Sequence, residues 1–257
     1  MRHLLAVLCL VSTPVLAAEA ASAPQVDEVS GKGAFVLTST LTAELGAAGA
    51  ARLASIYPPG EPIRWDVVVP ERYDPANPAG LLVYISPTPS GRLPDRWEQV
   101  LEASNLIWVS ANDAGNMTHV QRRALFAVIS PTVIGSRYAL NRKRIYVSGL
   151  SGGGKMASMV ATDHAQLFTG AIFICGVEFW DSEPRRFDRI LENRYVFLTG
   201  EFDQALRPTR RAYNRYRKAG VKGVMLMEID GMGHENPDPA ELSEAIAFLD
   251  GSGENGR

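Results

Sequence analysis

Short, almost wholly apolar segments recur through most of the chain, and this repetition limits the folds that are open to it. Segments with a helical pattern separate them. Strands that are apolar along their whole length are buried on both faces, and such strands alternating with helices form a parallel sheet covered on both sides. The pattern predicts an α/β fold with a mostly parallel central sheet and helices on both faces. The predicted strands are 81–85, 106–110, 145–147, 171–175, 195–198 and 224–229, and the predicted helices are 93–104, 117–138, 153–166, 208–219 and 239–250.

The part of the chain before these strands is less regular. Residues 63–69 alternate enough for a strand, which Pro70 ends. Residues 34–37 suggest an earlier strand, whereas the Ala- and Gly-rich stretch 41–56 is compatible with either a helix or an irregular segment. No internal repeat or linker divides the chain. We therefore expect one domain, in which a leader and first strands (21–61) join a core of residues 62–251.

The first twenty residues have the layout of a secretory signal peptide. A short basic start at residues 1–3 precedes an apolar run at residues 4–11, and small residues at 14–20 offer cleavage sites. The apolar run is shorter than the roughly 20 residues that span a bilayer. We expect residues 1–20 to be removed and the mature protein to be periplasmic or secreted.

Charge and cysteine content exclude several classes of function. The net charge of −2 gives no general attraction to nucleic acid or anionic lipid, and no later apolar segment is long enough for stable membrane insertion. Of the two cysteines, Cys9 lies in the predicted signal peptide and Cys175 in an apolar strand, so Cys175 is predicted to be a buried core residue. No Cys/His group has the spacing of metal ligands, and we predict no metal site.

A G-x-S-x-G motif is formed by Gly149, Ser151 and Gly153. A predicted strand leads into it and a predicted helix leads out, which is the context that a nucleophilic serine on a sharp turn requires. The Gly152 N–H follows the serine at the start of that helix, where it can stabilise a developing oxyanion. Ser151 is therefore predicted to be a nucleophile and Gly152 an oxyanion donor.

A serine nucleophile needs a base, and a base needs a carboxylate to orient it. Among the four histidines, His234 follows the last predicted strand directly, and sites in α/β proteins form at the carboxyl ends of parallel strands. Asp203 lies just past the preceding strand and is the predicted acid, with Glu201 and Glu178 as competitors.

These motifs, in the order Ser, Asp, His, resemble the α/β-hydrolase superfamily, within it the lid-poor esterase, polyhydroxyalkanoate-depolymerase-like and peptidase-like branch. The similarity covers about residues 62–250. It implies hydrolysis of an ester, thioester or amide through an acyl-enzyme without a cofactor, with a small-molecule or polymeric ester as the expected substrate. A serine peptidase and a non-catalytic binding protein of the same fold remain alternatives.

The sequence departs from this family in one loop. Many members have His-Gly after the strand that ends here at Ile85, whereas this chain has Ser-Pro-Thr-Pro-Ser-Gly at residues 86–91. Proline has no N–H to donate, so Pro87 and Pro89 cannot bind an oxyanion. Thr88 is by position the predicted second oxyanion donor.

Overall fold

The computed structural model describes residues 31–179 and 187–251. The predicted signal peptide, residues 1–20, and most of the leader lie outside these ranges. The strands are β1 (Gly33–Ser39), β2 (Ile63–Val69), β3 (Ala79–Ile85), β4 (Leu106–Ala111), β5 (Leu140–Leu150), β6 (Gly170–Ile174), β7 (Arg194–Gly200) and β8 (Gly223–Ile229). The helices are α1 (Leu41–Ala51), α2 (Glu98–Ser104), α3 (Val120–Gly135), α4 (Gly152–Asp163), α5 (Phe187–Glu192), α6 (Leu206–Lys218) and α7 (Pro239–Leu249).

The strands form one eight-stranded sheet in the order β1-β2-β4-β3-β5-β6-β7-β8. β1 pairs with β2, and β2 with β4, in antiparallel fashion, and all the later pairings are parallel. The predicted mostly parallel sheet is therefore confirmed. The early strand β1 is hydrogen-bonded to β2 along its whole length and so belongs to the same sheet as the core.

Helices cover both faces of this sheet, as predicted, because the strand side chains alternate between two hydrophobic cores. In β7, Tyr195 and Phe197 face one core, whereas Val196 and Leu198 face the other. The first core is closed by buried residues of α1, α3, α4 and α6, and the second by those of α2 and α7. None of the helices in the described ranges is long and apolar enough to cross a membrane.

The stretch that the sequence left open, residues 41–56, begins with helix α1. The Thr40 side chain caps this helix by accepting a hydrogen bond from the Ala43 N–H at 3.1 Å. Gly46 interrupts it with a positive φ of 68°, a conformation that glycine adopts without steric cost. Among the predicted helices, α2 begins later than expected, at Glu98 instead of residue 93.

The turn between β5 and α4 packs backbone directly on backbone. A Cβ atom on Gly153 would lie 1.8 Å from the Ile85 carbonyl oxygen, and one on Gly149 would lie 2.5 Å from the Gly153 carbonyl carbon. Real Cβ atoms do not approach other atoms this closely. The start of α4 can therefore rest on the end of β3 only when both positions are glycine.

Gly153→Ala is expected to destabilise the protein by more than about 3 kcal/mol, because the added methyl group overlaps a backbone oxygen that cannot move alone. Gly60→Ala is the matched control, since a Cβ there meets nothing within 4 Å. Thermal unfolding followed by circular dichroism should show a large drop in Tm for Gly153→Ala and none for Gly60→Ala. Equal Tm values for the two variants would contradict the close packing.

Candidate active site

Ser151 lies in the turn between β5 and α4 with φ 58° and ψ −118°, a region that is strained for a residue with a side chain. Its N–H donates to the Ile174 carbonyl at 2.8 Å, and its carbonyl accepts from the Lys155 N–H at 3.1 Å. Gly152 is the first residue of α4, and the first N–H groups of a helix have no acceptor within the helix. The Gly152 N–H is therefore available to an oxyanion next to Ser151.

His234 and Asp203, the predicted base and acid, are joined by a hydrogen bond. The His234 Nδ1–H donates to Asp203 Oδ1 at 2.7 Å, and the Asp203 side chain is fully buried. The same carboxylate accepts hydrogen bonds from the Thr199 hydroxyl at 3.1 Å and from the Ala205 N–H at 2.9 Å. These contacts fix the orientation of the carboxylate, which in turn fixes that of the imidazole.

Burial alone would raise the pKa of Asp203, but hydrogen bonds outweigh it. The Ala205 N–H, the Cys175 thiol, His234 and Thr199 all favour the carboxylate and together lower the pKa of Asp203 below its ordinary value. The carboxylate is therefore ionised at neutral pH, the state in which it can stabilise an imidazolium on His234.

The other described histidines have different roles. The His119 Nδ1 accepts a hydrogen bond from the Gln121 N–H at 3.3 Å and caps α3. His164 is 1% exposed, and its burial lowers its pKa to about 4, so its ring stays neutral in the core. His3 lies outside the described residues. Among the described histidines, His234 alone has an ion-pair contact with a carboxylate.

The two competing acids make contacts elsewhere. A carboxylate oxygen of Glu201 accepts from the Gly231 N–H at 3.0 Å, which supports the turn that follows β8. Glu178 forms an ion pair with Lys155 at 3.0 Å on the protein surface. The geometry therefore favours Asp203 over both as the partner of His234.

Cys175 connects the loop of Ser151 with that of His234. Its backbone follows β6 directly, where the Ile174 carbonyl binds the Ser151 N–H, and its thiol sulfur lies 3.5 Å from the Glu235 carbonyl oxygen. The thiol is 2% exposed, which confirms the prediction of a buried residue. Its burial and the neighbouring Asp203 carboxylate raise its pKa to about 12, so the thiol stays protonated.

The donor atoms of Cys175, Asp203 and His234 lie within 4.8 Å of one another. Thiolate, carboxylate and imidazole are ligand types that zinc accepts. Here, however, two of the three groups are already joined by a hydrogen bond, and the thiol is protonated. The sequence predicted that Asp203 and His234 would meet, but it gave no indication that Cys175 would lie beside them.

The loop that carries His234 is tied to the central strand β3 and to the segment before α2. The Tyr84 hydroxyl donates to the Asn236 side chain and the Trp97 indole N–H to the Pro237 carbonyl, each at 2.9 Å. Arg96 forms an ion pair with Asp238. The base is therefore held by contacts with β3 and with the start of α2, as well as by Asp203.

Thr88, the predicted second oxyanion donor, lies in the loop after β3. Its N–H donates to the Ser86 hydroxyl at 3.1 Å, and its own hydroxyl lies 3.1 Å from the same atom. The N–H that would bind an oxyanion thus has an acceptor within its own loop. The role of Thr88 stays a prediction.

Arg123 is a component of the site that no sequence motif indicated. It is 5% exposed and donates to the backbone carbonyls of Ala114 at 2.8 Å, Ser86 at 3.0 Å and Gly152 at 3.4 Å. Burial lowers its pKa to about 10, so the guanidinium remains charged at neutral pH. Arg123 therefore joins the loops after β3 and β4 to the first residue of α4.

Comparison with known proteins shows what the chain is similar to. A model of the prolyl oligopeptidase family matches residues 131–256. A ferulic acid esterase structure superposes with a TM-score of 0.60 at 14% identity, covering 86% of this chain and 99% of that one. The chain has the fold of the α/β-hydrolases. No curated protein matches the chain by sequence.

Two further structures show the same fold as this chain. The S-formylglutathione hydrolase of Staphylococcus aureus has a TM-score of 0.59 at 13% identity, covering 85% of this chain and 99% of that one. A putative dipeptidyl aminopeptidase IV from Bacteroides ovatus has a TM-score of 0.58 at 15% identity, covering 84% of this chain but 35% of that one. The predicted α/β-hydrolase fold is thereby confirmed.

Arg123→Met is expected to destabilise the protein by about 3 kcal/mol, because three carbonyls lose a charged donor. It should also lower kcat, since two of these carbonyls belong to segments next to Ser151. Arg122→Met is the matched control: Arg122 stacks over Tyr57 at 4.9 Å, a contact worth about 1 kcal/mol or less. Urea unfolding and ester kinetics measure both effects, and similar losses in the two variants would contradict the bracing role of Arg123.

Asp203 should make the stability of the protein depend on pH in the acid range. Its folded-state pKa is lowered, so it stabilises the fold above its unfolded-state pKa of about 3.9 and loses this contribution as the pH falls through the folded value. The difference in unfolding free energy between the parent and Asp203→Asn should have its full value near neutral pH and should become smaller below about pH 4. Urea titrations over this range test it, and a difference independent of pH would contradict it.

Proposed function

We propose that the protein hydrolyses carboxylic esters through an acyl-enzyme formed on Ser151, with His234 as base and Asp203 as the orienting acid. The observation that carries this proposal is the 2.7 Å hydrogen bond between His234 Nδ1 and a buried, ionised Asp203, in a fold that also holds Ser151 on a strained turn. A serine hydroxyl becomes a nucleophile when such a paired histidine takes its proton.

In the proposed reaction, the Ser151 Oγ attacks the ester carbonyl carbon while His234 Nε2 takes the hydroxyl proton. The electron pair of the C=O π bond moves onto oxygen, and the Gly152 N–H at the start of α4 stabilises this oxyanion. The tetrahedral intermediate then collapses, and the alcohol leaves with the proton from His234. Water, deprotonated by the same histidine, hydrolyses the acyl-enzyme and restores Ser151.

The extent of the structural matches supports an ester over a peptide as substrate. The chain covers nearly the whole of the ferulic acid esterase and of the S-formylglutathione hydrolase, but only 35% of the dipeptidyl aminopeptidase. Only residues 175–193 separate β6 from β7, so the chain has room for only a short insertion there. This supports an active site that is open to substrates from solvent.

Peptide hydrolysis is the second candidate, because the family model that matches residues 131–256 is that of the prolyl oligopeptidases. The same serine, histidine and carboxylate would cleave an amide by the same steps. Comparing p-nitrophenyl acyl esters of rising chain length with proline-containing peptide p-nitroanilides separates the two candidates. A higher kcat/KM for the peptides would replace the ester proposal with the peptidase.

A fluorophosphonate probe should label the protein at Ser151, with the adduct located by mass spectrometry. Ser151→Ala should abolish both labelling and ester hydrolysis, and Asp203→Asn should lower kcat by about 10⁴-fold because the imidazole loses its orienting carboxylate. Ser136→Ala, at the end of α3, is the control and should label as the parent does. An unlabelled parent would indicate a non-catalytic binding protein, and labelling of Ser151→Ala would exclude Ser151 as the nucleophile.

A further inference from the structure

The loop after β3 is poorly supplied with donors for an oxyanion. Pro87 and Pro89 have no N–H, and the Thr88 N–H between them donates to the Ser86 hydroxyl at 3.1 Å. A tetrahedral intermediate needs donors aimed at its oxygen, and loss of one costs about 100- to 1000-fold in kcat in a related type of hydrolase. Together with Gly152, a second donor is therefore expected from another segment.

The carboxamide of Asn116 lies beside Gly152. A Cβ atom on Gly152 would be 2.2 Å from the Asn116 Oδ1, 2.8 Å from its Cγ and 2.9 Å from its Nδ2, so the amide group occupies the space that a side chain at residue 152 would take. The Gly152 N–H branches from the same Cα atom. Asn116 is also exposed, so its amide is open to a substrate as well as close to the predicted oxyanion donor.

The backbone around Asn116 is held firmly. The Asn116 N–H donates to the Pro87 carbonyl and the Thr118 N–H to the Gly115 carbonyl, each at 2.9 Å. Gly115 packs so closely on the loop after β3 that a Cβ there would lie 2.6 Å from the Thr88 carbonyl carbon. A donor stabilises a transition state best when it needs little rearrangement, and these contacts fix the backbone that carries the Asn116 amide.

Buried Arg123 sets the distance between the two donors. It donates to the carbonyl of Ala114, two residues before Asn116, and to the carbonyl of Gly152 itself. One guanidinium thus joins the loop that carries the Asn116 amide to the turn that carries the Gly152 N–H.

We propose that the side-chain NH₂ of Asn116 is the second oxyanion donor and acts together with the Gly152 N–H. The proposal rests on acyl transfer at Ser151. It also accounts for glycine at residue 152, because any side chain there would displace the Asn116 amide. Asn116 is on this view a catalytic residue, since it touches the oxygen on which charge develops.

Asn116→Ala and Asn116→Asp test the proposal in the full-length mature protein, with p-nitrophenyl esters as substrate. Asn116→Ala should lower kcat by about 100- to 1000-fold with KM close to the parent value. Asn116→Asp keeps the size of the side chain but places a carboxylate against the oxyanion, so it should lose at least as much. A boronic acid that forms a tetrahedral adduct on Ser151 should bind Asn116→Ala more weakly by a similar factor.

Met117→Ala is the matched control. Met117 is the adjacent residue on the same loop and is fully exposed, so this variant should retain the parent kcat and Tm. If Asn116→Ala fails to fold, Asn116→Asp decides the question, because it preserves the packing volume beside Gly152.

Two results would overturn the assignment. If Asn116→Ala retains the parent kcat, the second donor is another group, such as the Thr88 N–H. If Asn116→Ala does not fold, a parent-level kcat in Asn116→Asp leads to the same conclusion. A raised KM with unchanged kcat would make Asn116 a substrate-binding residue only. Both differ from failure of the proposed function itself, in which the parent protein does not react with the fluorophosphonate at Ser151.

Discussion

The active-site turn depends on direct contact between backbone segments. Ser151 can adopt its strained conformation because the turn that carries it packs against the ends of β3 and β6, the two strands that flank β5. Gly153 lies against the Ile85 carbonyl, and Gly176 lies against the Ser151 carbonyl. Nothing larger than hydrogen fits at either position. Strain at a functional residue persists only where the surrounding structure over-determines it, and here the central strands of the sheet provide that support.

Polar contacts then fix the loops and side chains of the candidate site. Arg123 is buried with a net positive charge, and three backbone carbonyls take the place of a carboxylate partner. Burying a charge in this way is costly unless its hydrogen bonds are satisfied, and each bond here fixes a different loop around the site. Asp203 is stabilised similarly by several donors, so both buried ions contribute order to the site as well as charge.

Much of this could be predicted from local sequence patterns, because the patterns report burial. Fully apolar strands such as β6 predicted a sheet covered on both sides, and the order of Ser151, Asp203 and His234 along the chain placed all three after strands. Arg123 and Asn116 could not be found in this way. Their positions depend on how the loops after β3 and β4 pack on α4, and contacts between distant loops leave no periodic trace in the sequence. The sequence also did not decide whether the segment of α1 is helical, because this Ala- and Gly-rich segment has no clear apolar face.

The arrangement of the candidate site along the chain has a consequence for biosynthesis. Ser151 follows the fifth strand, whereas His234 follows the eighth and bonds to Asp203, 31 residues earlier. During synthesis, the turn that carries Ser151 therefore leaves the ribosome well before His234, the predicted base. Until β8 joins the edge of the sheet, a growing chain has a serine without a base. In the proposed mechanism, the chemistry is thus coupled to the last step of sheet assembly, and a chain that lacks β8 has no assembled triad.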